Sequence, residues 1–216
     1  MGLTSRNYYQ KPKLDFHTSW DDGNKLDLKI ADILERTGHV QNSTFYVVLD
    51  WIGTEGFMTW DDIKDLDKRG FQIGSHTISH PMDLKQLHDD FLFAEVQSSK
   101  EMIESVLGHK IRSFCYPRGR MDNRVRHYVE EAGYLNARVT GKPGVRDASD
   151  PYKLPGTLHV FPREEYGGEH WAKFGKGVVQ ASRDNDYFNL WGHSPEVEKY
   201  DQWNDLEEFL KYVKSH

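Results

Sequence analysis

LDFHTSWDDGNKLDLKIADILERTGHVQNSTFYVVL, residues 14–49, contains a complete strand, helix and strand pattern. Short runs of apolar and β-branched residues at 14–19 and 43–49 predict two strands. Between them, residues 26–37 have apolar side chains on one helical face and are followed by Gly38, which predicts an amphipathic helix with a glycine at its end. The apolar positions of that face are Leu26, Ile30, Ile33 and Leu34.

The same alternation continues along the rest of the chain. It predicts an α/β fold with parallel strands joined by crossover helices. The further predicted strands are 71–74, 111–116, 135–140, 158–161 and 187–191, and the further predicted helices are 60–69 with Thr59 as N-cap, 89 or 90 to 108, 123–132, 170–181 and 204–213; residues 141–155 are predicted to form a loop.

Composition narrows the class of protein. A chain of 216 residues with 37% hydrophobic content can bury one sizeable core, so we expect a single domain over 1–216. The net charge of -6 is spread without a long block of either sign, which argues against nucleic acid as a partner. Cys115 is the only cysteine, so an intramolecular disulfide is excluded.

The amino-terminal segment bears on location. Residues 1–16, MGLTSRNYYQKPKLDF, lack the apolar stretch of a secretory signal, and no later segment has the length and hydropathy of a membrane span. We therefore expect a cytoplasmic protein without a membrane span.

Three polar segments each follow a predicted strand: TSWDDG at 18–23, HTISHP at 76–81 and FCYPRG at 114–119. Residues after the carboxyl ends of parallel strands meet at one edge of the sheet, so these segments are expected to converge. Together they offer an aspartate pair, a histidine pair and a kinked backbone. This set can hold a divalent metal, activate a water and stabilise an oxyanion, which predicts a metal-dependent hydrolase.

The aspartate pair is informative because of its position. Asp-Asp also occurs at 61–62 and 89–90, where it fits the acidic preference of a helix N-terminus. Asp21 and Asp22 instead end a predicted strand and precede Gly23. We expect their side chains to diverge on this turn, one toward a metal and the other toward a water.

The spacing and position of the histidines are also informative. The four-residue spacing of His76 and His80 predicts that both imidazoles lie on one side of a helical turn, where they can reach one ion together with a carboxylate. His193 ends the last predicted strand. A lone histidine is more often a structural hydrogen-bonding residue than an acid or base.

In their order and neighbours, these motifs resemble the polysaccharide deacetylase family, the carbohydrate esterases that share a NodB homology domain. The resemblance implies that Asp22, His76 and His80 bind the metal, that Asp21 is the general base and that His193 is the general acid. It also implies a distorted (β/α) barrel with fewer than eight parallel strands. The matching segments are 19–23, 76–81, 112–119 and 191–193.

Two departures from the family pattern affect these roles. The resemblance implies that the third motif forms a turn whose Arg118 amide points at the oxyanion. The first departure lies in this motif, where Cys115 stands in place of an arginine that orients the base in many members. The family's fourth motif, which supplies a partner for the acid, is not recognisable between 135 and 150. We hypothesise that Arg138 provides the missing guanidinium and keeps Asp21 ionised.

Residues beside the motifs are candidates for the substrate pocket: Trp20, Trp191, Tyr116 and Pro117. Imidazole and carboxylate ligands suit several divalent metals, with zinc expected and cobalt, nickel, manganese or iron as alternatives.

Three functions are compatible with these residues. The leading one is removal of N-acetyl groups from an N-acetylated sugar, oligosaccharide or polysaccharide. The same site could serve an O-acetyl esterase on carbohydrate, and the two departures also fit a catalytically impaired, metal-containing glycan-binding domain. A carbohydrate partner is common to all three, and the sequence leaves the oligomeric state open.

Overall fold

The computed structural model describes residues 14–216, and eight strands lie in this part of the chain. All of them pair in parallel, in the order β6-β5-β4-β3-β2-β1-β8-β7. The strands are β1 (Asp15–Trp20), β2 (Ser43–Val47), β3 (Gln72–Ser75), β4 (Ser113–Cys115), β5 (Asn136–Val139), β6 (Leu154–Pro155), β7 (Leu158–His159) and β8 (Tyr187–Gly192).

The sheet curls into a half-barrel, as the contacts of Arg138 show. Arg138 lies on β5, yet its guanidinium donates a hydrogen bond to Asp21, which follows β1 four strands away. Four steps across a flat sheet would span about 19 Å, well beyond the reach of one arginine side chain. The guanidinium also lies 4.8 Å from the Trp191 ring on β8. The predicted distorted (β/α) barrel is therefore confirmed, and the described residues form eight short strands where fewer than eight were expected.

A single segment, residues 154–159, supplies both edges of the sheet. Its first part, β6, pairs with β5, and its last part, β7, pairs with β8, so eight strands occupy seven stretches of chain. Between them, Gly156 donates its amide to Val139 and Thr157 donates its amide to Asn189. A Cβ on Gly156 would lie 2.5 Å from both the Thr140 carbonyl oxygen and the Trp191 ring nitrogen, so only glycine fits here.

Six of the eight helices in the described residues lie between strands along the chain, where parallel pairing needs crossover connections, and the last two follow the last strand. Their apolar faces are buried in one continuous hydrophobic cluster with the outward-facing strand residues. They are α1 (Asp27–Thr37), α2 (Trp60–Lys68), α3 (Asp89–Phe93), α4 (Ser99–Leu107), α5 (Asn123–Glu131), α6 (Trp171–Gln180), α7 (Ser194–Lys199) and α8 (Trp203–Ser215).

Two helix ends follow directly from the sequence. Thr59 caps α2, because its side chain accepts from the Asp62 amide while the Asp62 carboxylate accepts from the Thr59 amide. Gly38 ends α1 in the left-handed conformation, with φ 74°. Both predicted boundaries are confirmed.

Three elements differ from the sequence prediction. Strand β6 lies within the expected loop 141–155; it has two residues, and its Pro155 cannot donate to a ladder. Helix α7 directly follows β8 and is only six residues long. A π-helical turn, Ala94–Ser98, separates α3 from α4 within the predicted helix from 89 or 90 to 108. Each is too short to produce a sequence period.

Two expectations concern the membrane and the amino terminus. No helix in the described range 14–216 is both long and apolar enough to cross a lipid bilayer. Residues 1–13, on which the expected lack of a secretory signal largely depends, lie outside the described residues.

Candidate active site

The candidate site lies at the carboxyl ends of the strands. Asp21 and Asp22 follow β1, His76 follows β3, and His193 follows β8. Strand β8 pairs with β1 directly, and β2 separates β1 from β3. Because parallel strands end at one edge, the fold brings together side chains that are up to 172 positions apart in sequence.

Asp22, His76 and His80 form a group that could hold a metal ion. Asp22 Oδ1 lies 3.7 Å from His76 Nε2 and 3.8 Å from His80 Nε2. Ligand atoms about 2.1 Å from a tetrahedral ion stand roughly 3.4 Å apart, close to these separations. Asp22 Oδ1 is also buried without a hydrogen-bond partner among the described residues. A cation would satisfy this oxygen, so the three residues fit a divalent metal.

The hydrogen bond of His76 prepares its other ring nitrogen for a metal. His76 Nδ1 donates to the carbonyl oxygen of Cys115 at 2.8 Å. A carbonyl can only accept, so Nδ1 carries the hydrogen and the Nε2 lone pair faces Asp22. Burial lowers the pKa of His76 to about 4, despite the nearby carboxylates, which keeps the ring neutral.

The backbone between the two histidines is a strained loop. The expected helical turn is wrong, because Thr77 and His80 adopt left-handed conformations with φ 74° and 54°. Asp22 and Arg118 do the same, with φ 79° and 58°. These four are among six non-glycine residues with positive φ in the described chain, so strained backbone is concentrated around the candidate site.

Glu95 fixes the loop that carries His80. Its carboxylate accepts from the amides of Ile78 and Ser79, at 2.8 and 3.0 Å, and from the Ser79 hydroxyl at 2.5 Å. Glu95 lies in the π-helical turn between α3 and α4. π-Turns are frequent at functional sites, and this one places a carboxylate against the loop amides. Nothing in the sequence pattern indicated Glu95.

Asp21 neighbours the possible metal ligand Asp22 and forms an ion pair with the buried Arg138. Arg138 Nη2 donates to Asp21 Oδ2 and lies 2.9 Å from the Cys115 sulfur. Cys115 and Arg138 are register partners on β4 and β5, which explains how Arg138 reaches the place where an arginine at 115 would project. The contact that our hypothesis required is present, and its catalytic role stays a prediction.

The ion pair controls the charge of Asp21. Burial raises the pKa of this carboxyl, but the attraction of Arg138, with smaller contributions from His76 and His193, outweighs burial and lowers it to about 2. Asp21 is therefore ionised at neutral pH. Arg138 Nε and Nη1 have no hydrogen-bond partner among the described residues, so Asp21 is the principal charge partner of this buried guanidinium.

His193 lies closest to Asp22 Oδ2, whereas His76 and His80 lie closest to Asp22 Oδ1. Its Nε2 lies 3.9 Å from Asp22 Oδ2, while its Nδ1 lies 2.9 Å from Glu196 Oε2. Burial lowers the pKa of His193, but the hydrogen bond to Glu196 and the attraction of Asp21 and other carboxylates outweigh this and raise it to about 9. The imidazole is therefore charged at neutral pH and can give up a proton.

Sequence reasoning missed two residues beside His193. Glu196 accepts from His193 and also from His159 Nε2, each at 2.9 Å. His159 belongs to none of the motifs singled out in the sequence, and it is buried on β7. His193 is the N-cap of α7, and Glu196 lies three residues later in the first turn. This spacing is the only sequence signal for their contact.

The four predicted pocket residues are mostly enclosed. Trp20 has no exposed surface and donates its ring N–H to Thr18, so the structure places it in the core rather than at a pocket wall. Trp191, Tyr116 and Pro117 are buried at the carboxyl end of the sheet. Trp51, an aromatic residue that the sequence did not single out, lies beside His80, with the two ring centroids 5.3 Å apart.

Arg118 follows β4 on a short turn. Its side chain is exposed and its backbone has φ 58° and ψ 13°. The next residue, Gly119, also has positive φ and packs against Thr140, where a Cβ would lie 2.7 Å from the Thr140 amide nitrogen. The turn is therefore held against β5, which is compatible with a fixed direction for the Arg118 amide.

The fold matches that of family 4 carbohydrate esterases. A member of that family from Bacillus anthracis aligns with a TM-score of 0.64 and 22% identity, over 95% of this chain and 77% of that one. A family 4 pseudoenzyme from the same species aligns with a TM-score of 0.65 and 16% identity, over 95% and 62%. At these identities the likeness shows the fold alone.

Residues 10–137, more than half of the chain, match the family model described as polysaccharide deacetylase. The chain therefore belongs to the polysaccharide deacetylase family, as the motifs indicated. YxkH of Bacillus subtilis (strain 168), whose name refers to this family, is 27% identical over 127 residues, which cover 58% of this chain and 44% of YxkH. YlxY of the same strain is 28% identical over 109 residues, covering 50% and 32%. The matches span less than half the length of these relatives.

The family is generally metal-dependent, and the described residues include the Asp22, His76 and His80 group that could bind a metal.

Proposed function

We propose that this protein is a metal-dependent deacetylase that removes N-acetyl groups from an N-acetylated sugar, oligosaccharide or polysaccharide. The observation that carries the proposal is the convergence of Asp22, His76 and His80, with the ionised Asp21 on one side and the charged His193 on the other. An amide needs both an activated water and a protonated leaving nitrogen, and this arrangement offers a group for each task.

Asp22, His76 and His80 would hold the metal, for which zinc is the leading choice and cobalt, nickel, manganese and iron are alternatives. When bound, a divalent ion supplies a Lewis acid beside the acetyl carbonyl. Two contacts keep the ligand atoms directed at one point. His76 donates a hydrogen bond to the Cys115 carbonyl oxygen, and the Glu95 carboxylate accepts hydrogen bonds from the loop 77–80.

Asp21 accepts the proton of the attacking water in this mechanism. A new C–O bond forms at the acetyl carbon while the water proton passes to the carboxylate. Arg138 keeps Asp21 ionised and aimed, because its guanidinium donates to one carboxylate oxygen from the barrel interior. The Arg118 amide donates to the oxyanion that develops on the former carbonyl oxygen.

His193 completes the reaction by proton transfer to the leaving nitrogen. The C–N bond breaks as the imidazolium gives its Nε2 proton to that nitrogen, and the products are acetate and a free amino sugar. The position of Nε2 on the Asp22 side and the raised pKa of about 9 suit this role.

The test is substitution of Asp21 by Asn, with Asp61→Asn as the matched control in another Asp-Asp pair, whose side chain is exposed. Zinc stoichiometry and acetate release from an N-acetylglucosamine oligomer are measured for both variants. We expect Asp21→Asn to bind zinc but lose about 10²- to 10⁴-fold in rate, and Asp61→Asn to match the wild type. Retention of the full rate by Asp21→Asn would overturn the assignment of the base.

Paired substrates distinguish the amide from the ester activity. The same sugar carrying either an N-acetyl or an O-acetyl group is incubated with the zinc-loaded protein, and amine and acetate are quantified. Faster release from the N-acetyl sugar is expected, and release from the O-acetyl sugar alone would replace the deacetylase with an esterase. Release from neither would favour the glycan-binding alternative.

A further inference from the structure

One carboxylate oxygen joins two imidazoles beside the candidate site. Glu196 Oε2 lies 2.9 Å from His193 Nδ1 and 2.9 Å from His159 Nε2. A carboxylate can only accept, so both of these ring nitrogens carry hydrogens. The pKa of Glu196 supports this: burial raises it, but the hydrogen bonds from His159 and His193 outweigh burial and lower it to about 2.

His159 is a rigid support for this carboxylate. Its ring stacks on Trp191 with centroids 3.9 Å apart and planes 7° apart, since the two residues are register partners on β7 and β8. Its backbone is held twice by Tyr166, whose hydroxyl accepts from the His159 amide and donates to the His159 carbonyl. The second donor to Glu196 is therefore fixed to the sheet.

This arrangement determines which nitrogen of His193 faces the site. With Nδ1 donating to Glu196, the ring cannot rotate to exchange its nitrogens without breaking that bond. Nε2 then points toward Asp22 Oδ2, at 3.9 Å. The fourth motif, which would supply such a partner elsewhere in the family, is unrecognisable in this chain, so Glu196 occupies a role that would otherwise be empty.

We propose that Glu196 is a positioning residue for His193, and that His159 holds the Glu196 carboxylate in the place where it orients the His193 ring. The proposal rests on the proposed function, in which His193 gives its Nε2 proton to the leaving nitrogen. Glu196 acts through His193, so its loss matters for leaving groups that need a proton and not for those that leave as stable anions.

The experiment compares Glu196→Gln with Glu198→Gln, an exposed glutamate on the same helix that is paired with Lys29. Steady-state kinetics are measured with an N-acetylglucosamine oligomer and with 4-nitrophenyl acetate, whose phenolate leaves without protonation. For Glu196→Gln we expect kcat on the amide to fall about 10- to 100-fold with KM unchanged, and the rate on the ester to stay within about threefold. Glu198→Gln should match the wild type on both substrates.

Equal losses on both substrates, or an unchanged kcat on the amide, would overturn the positioning role. His159→Phe, which removes the second donor, should produce the same amide-selective loss at a smaller size, about three- to tenfold.

A second measurement separates this inference from the proposed function. Spectra of ¹⁵N-histidine-labelled protein report the hydrogen on His193 Nδ1 whether or not acetate is released. We expect a hydrogen-bonded Nδ1–H signal that is present in the wild type and lost in Glu196→Ala, which, unlike Glu196→Gln, has no side-chain acceptor. If the wild type releases no acetate but shows this signal, the proposed function fails and the orienting contact stands; if the signal is absent from the wild type, the inference fails.

Discussion

Two ion pairs flank the candidate metal group, and they differ in their exposure to water. The Asp21 and Arg138 side chains are 5% and 1% exposed, whereas those of His193 and Glu196 are 28% and 27% exposed. Each pair joins a proposed proton-transfer group to an opposite charge, which comes from a distant strand for Asp21 and from the start of the same helix for His193.

The difference in exposure indicates whether each pair contributes mainly to stability or mainly to turnover. Water can replace part of a partly exposed hydrogen bond, so the pair of His193 and Glu196 mainly sets an orientation. Water cannot reach the enclosed pair, and removing one partner leaves a buried charge uncompensated. We therefore expect the Asp21 and Arg138 pair to dominate stability, and the His193 and Glu196 pair to affect turnover more than stability.

The largest effect is expected from Arg138→Met. It removes the guanidinium but keeps an extended side chain, so Asp21 is left buried without its partner. The free energy of unfolding should fall by about 3–5 kcal/mol, as measured by urea unfolding. The control is Arg126→Met, which breaks partly exposed pairs with Glu130 and Asp150 and should lower the free energy of unfolding far less than Arg138→Met does. Equal losses in the two variants would remove the distinction between the pairs.

A swap of the register partners gives a smaller but more specific effect. Arg138→Cys should lose deacetylase activity, and Cys115→Arg alone should place a second guanidinium beside Arg138 and destabilise the protein. In the double variant the guanidinium projects from β4 instead of β5, toward the same carboxylate. We expect the double variant to recover about tenfold of the activity that Arg138→Cys loses. Acetate release measured on all three variants checks this, and additive losses would contradict it.

The smallest effect concerns the more exposed pair and depends on pH. The pKa of Glu196 in the folded protein is lowered to about 2 from an ordinary 4.5, so its contribution to stability is present above about 4.5 and is lost as the pH falls toward 2. Glu196 faces His193 at the start of its own helix and His159 on β7. Glu196→Gln should therefore cost about 1 kcal/mol of unfolding free energy at pH 6 and close to nothing near pH 2. Urea unfolding at the two pH values measures the difference, and a cost that stays constant with pH would show that the Glu196 charge is not involved.

Much of the fold could be predicted from the sequence because it depends on local patterns. The strand at 14–19, the helix ending at Gly38 and the Thr59 cap each follow from side-chain periodicity or from a capping residue, and the structure has them within one or two residues. Elements of two to six residues, such as β6 and α7, contain too few positions to show a period. They are stabilised by their neighbours in the fold.

The candidate site also has a part that local motifs predict and a part that depends on tertiary contacts. Asp22, His76 and His80 were found because each follows a strand in a recognisable motif. The loop between the histidines was wrongly expected to be a helical turn, because the left-handed backbone of Thr77 and His80 is held by distant Glu95 and not by local preference.

The sequence by itself determined the alternating parallel architecture, the family and the residues offered to a metal, because strand ends and short motifs are local properties of a chain. Only the tertiary structure decided how those residues are supported. Arg138 reaches Asp21 because the sheet curls across five strands, and His159 reaches Glu196 because one segment closes both edges of that sheet. Both contacts join residues whose separation in sequence carries no information about their distance in space.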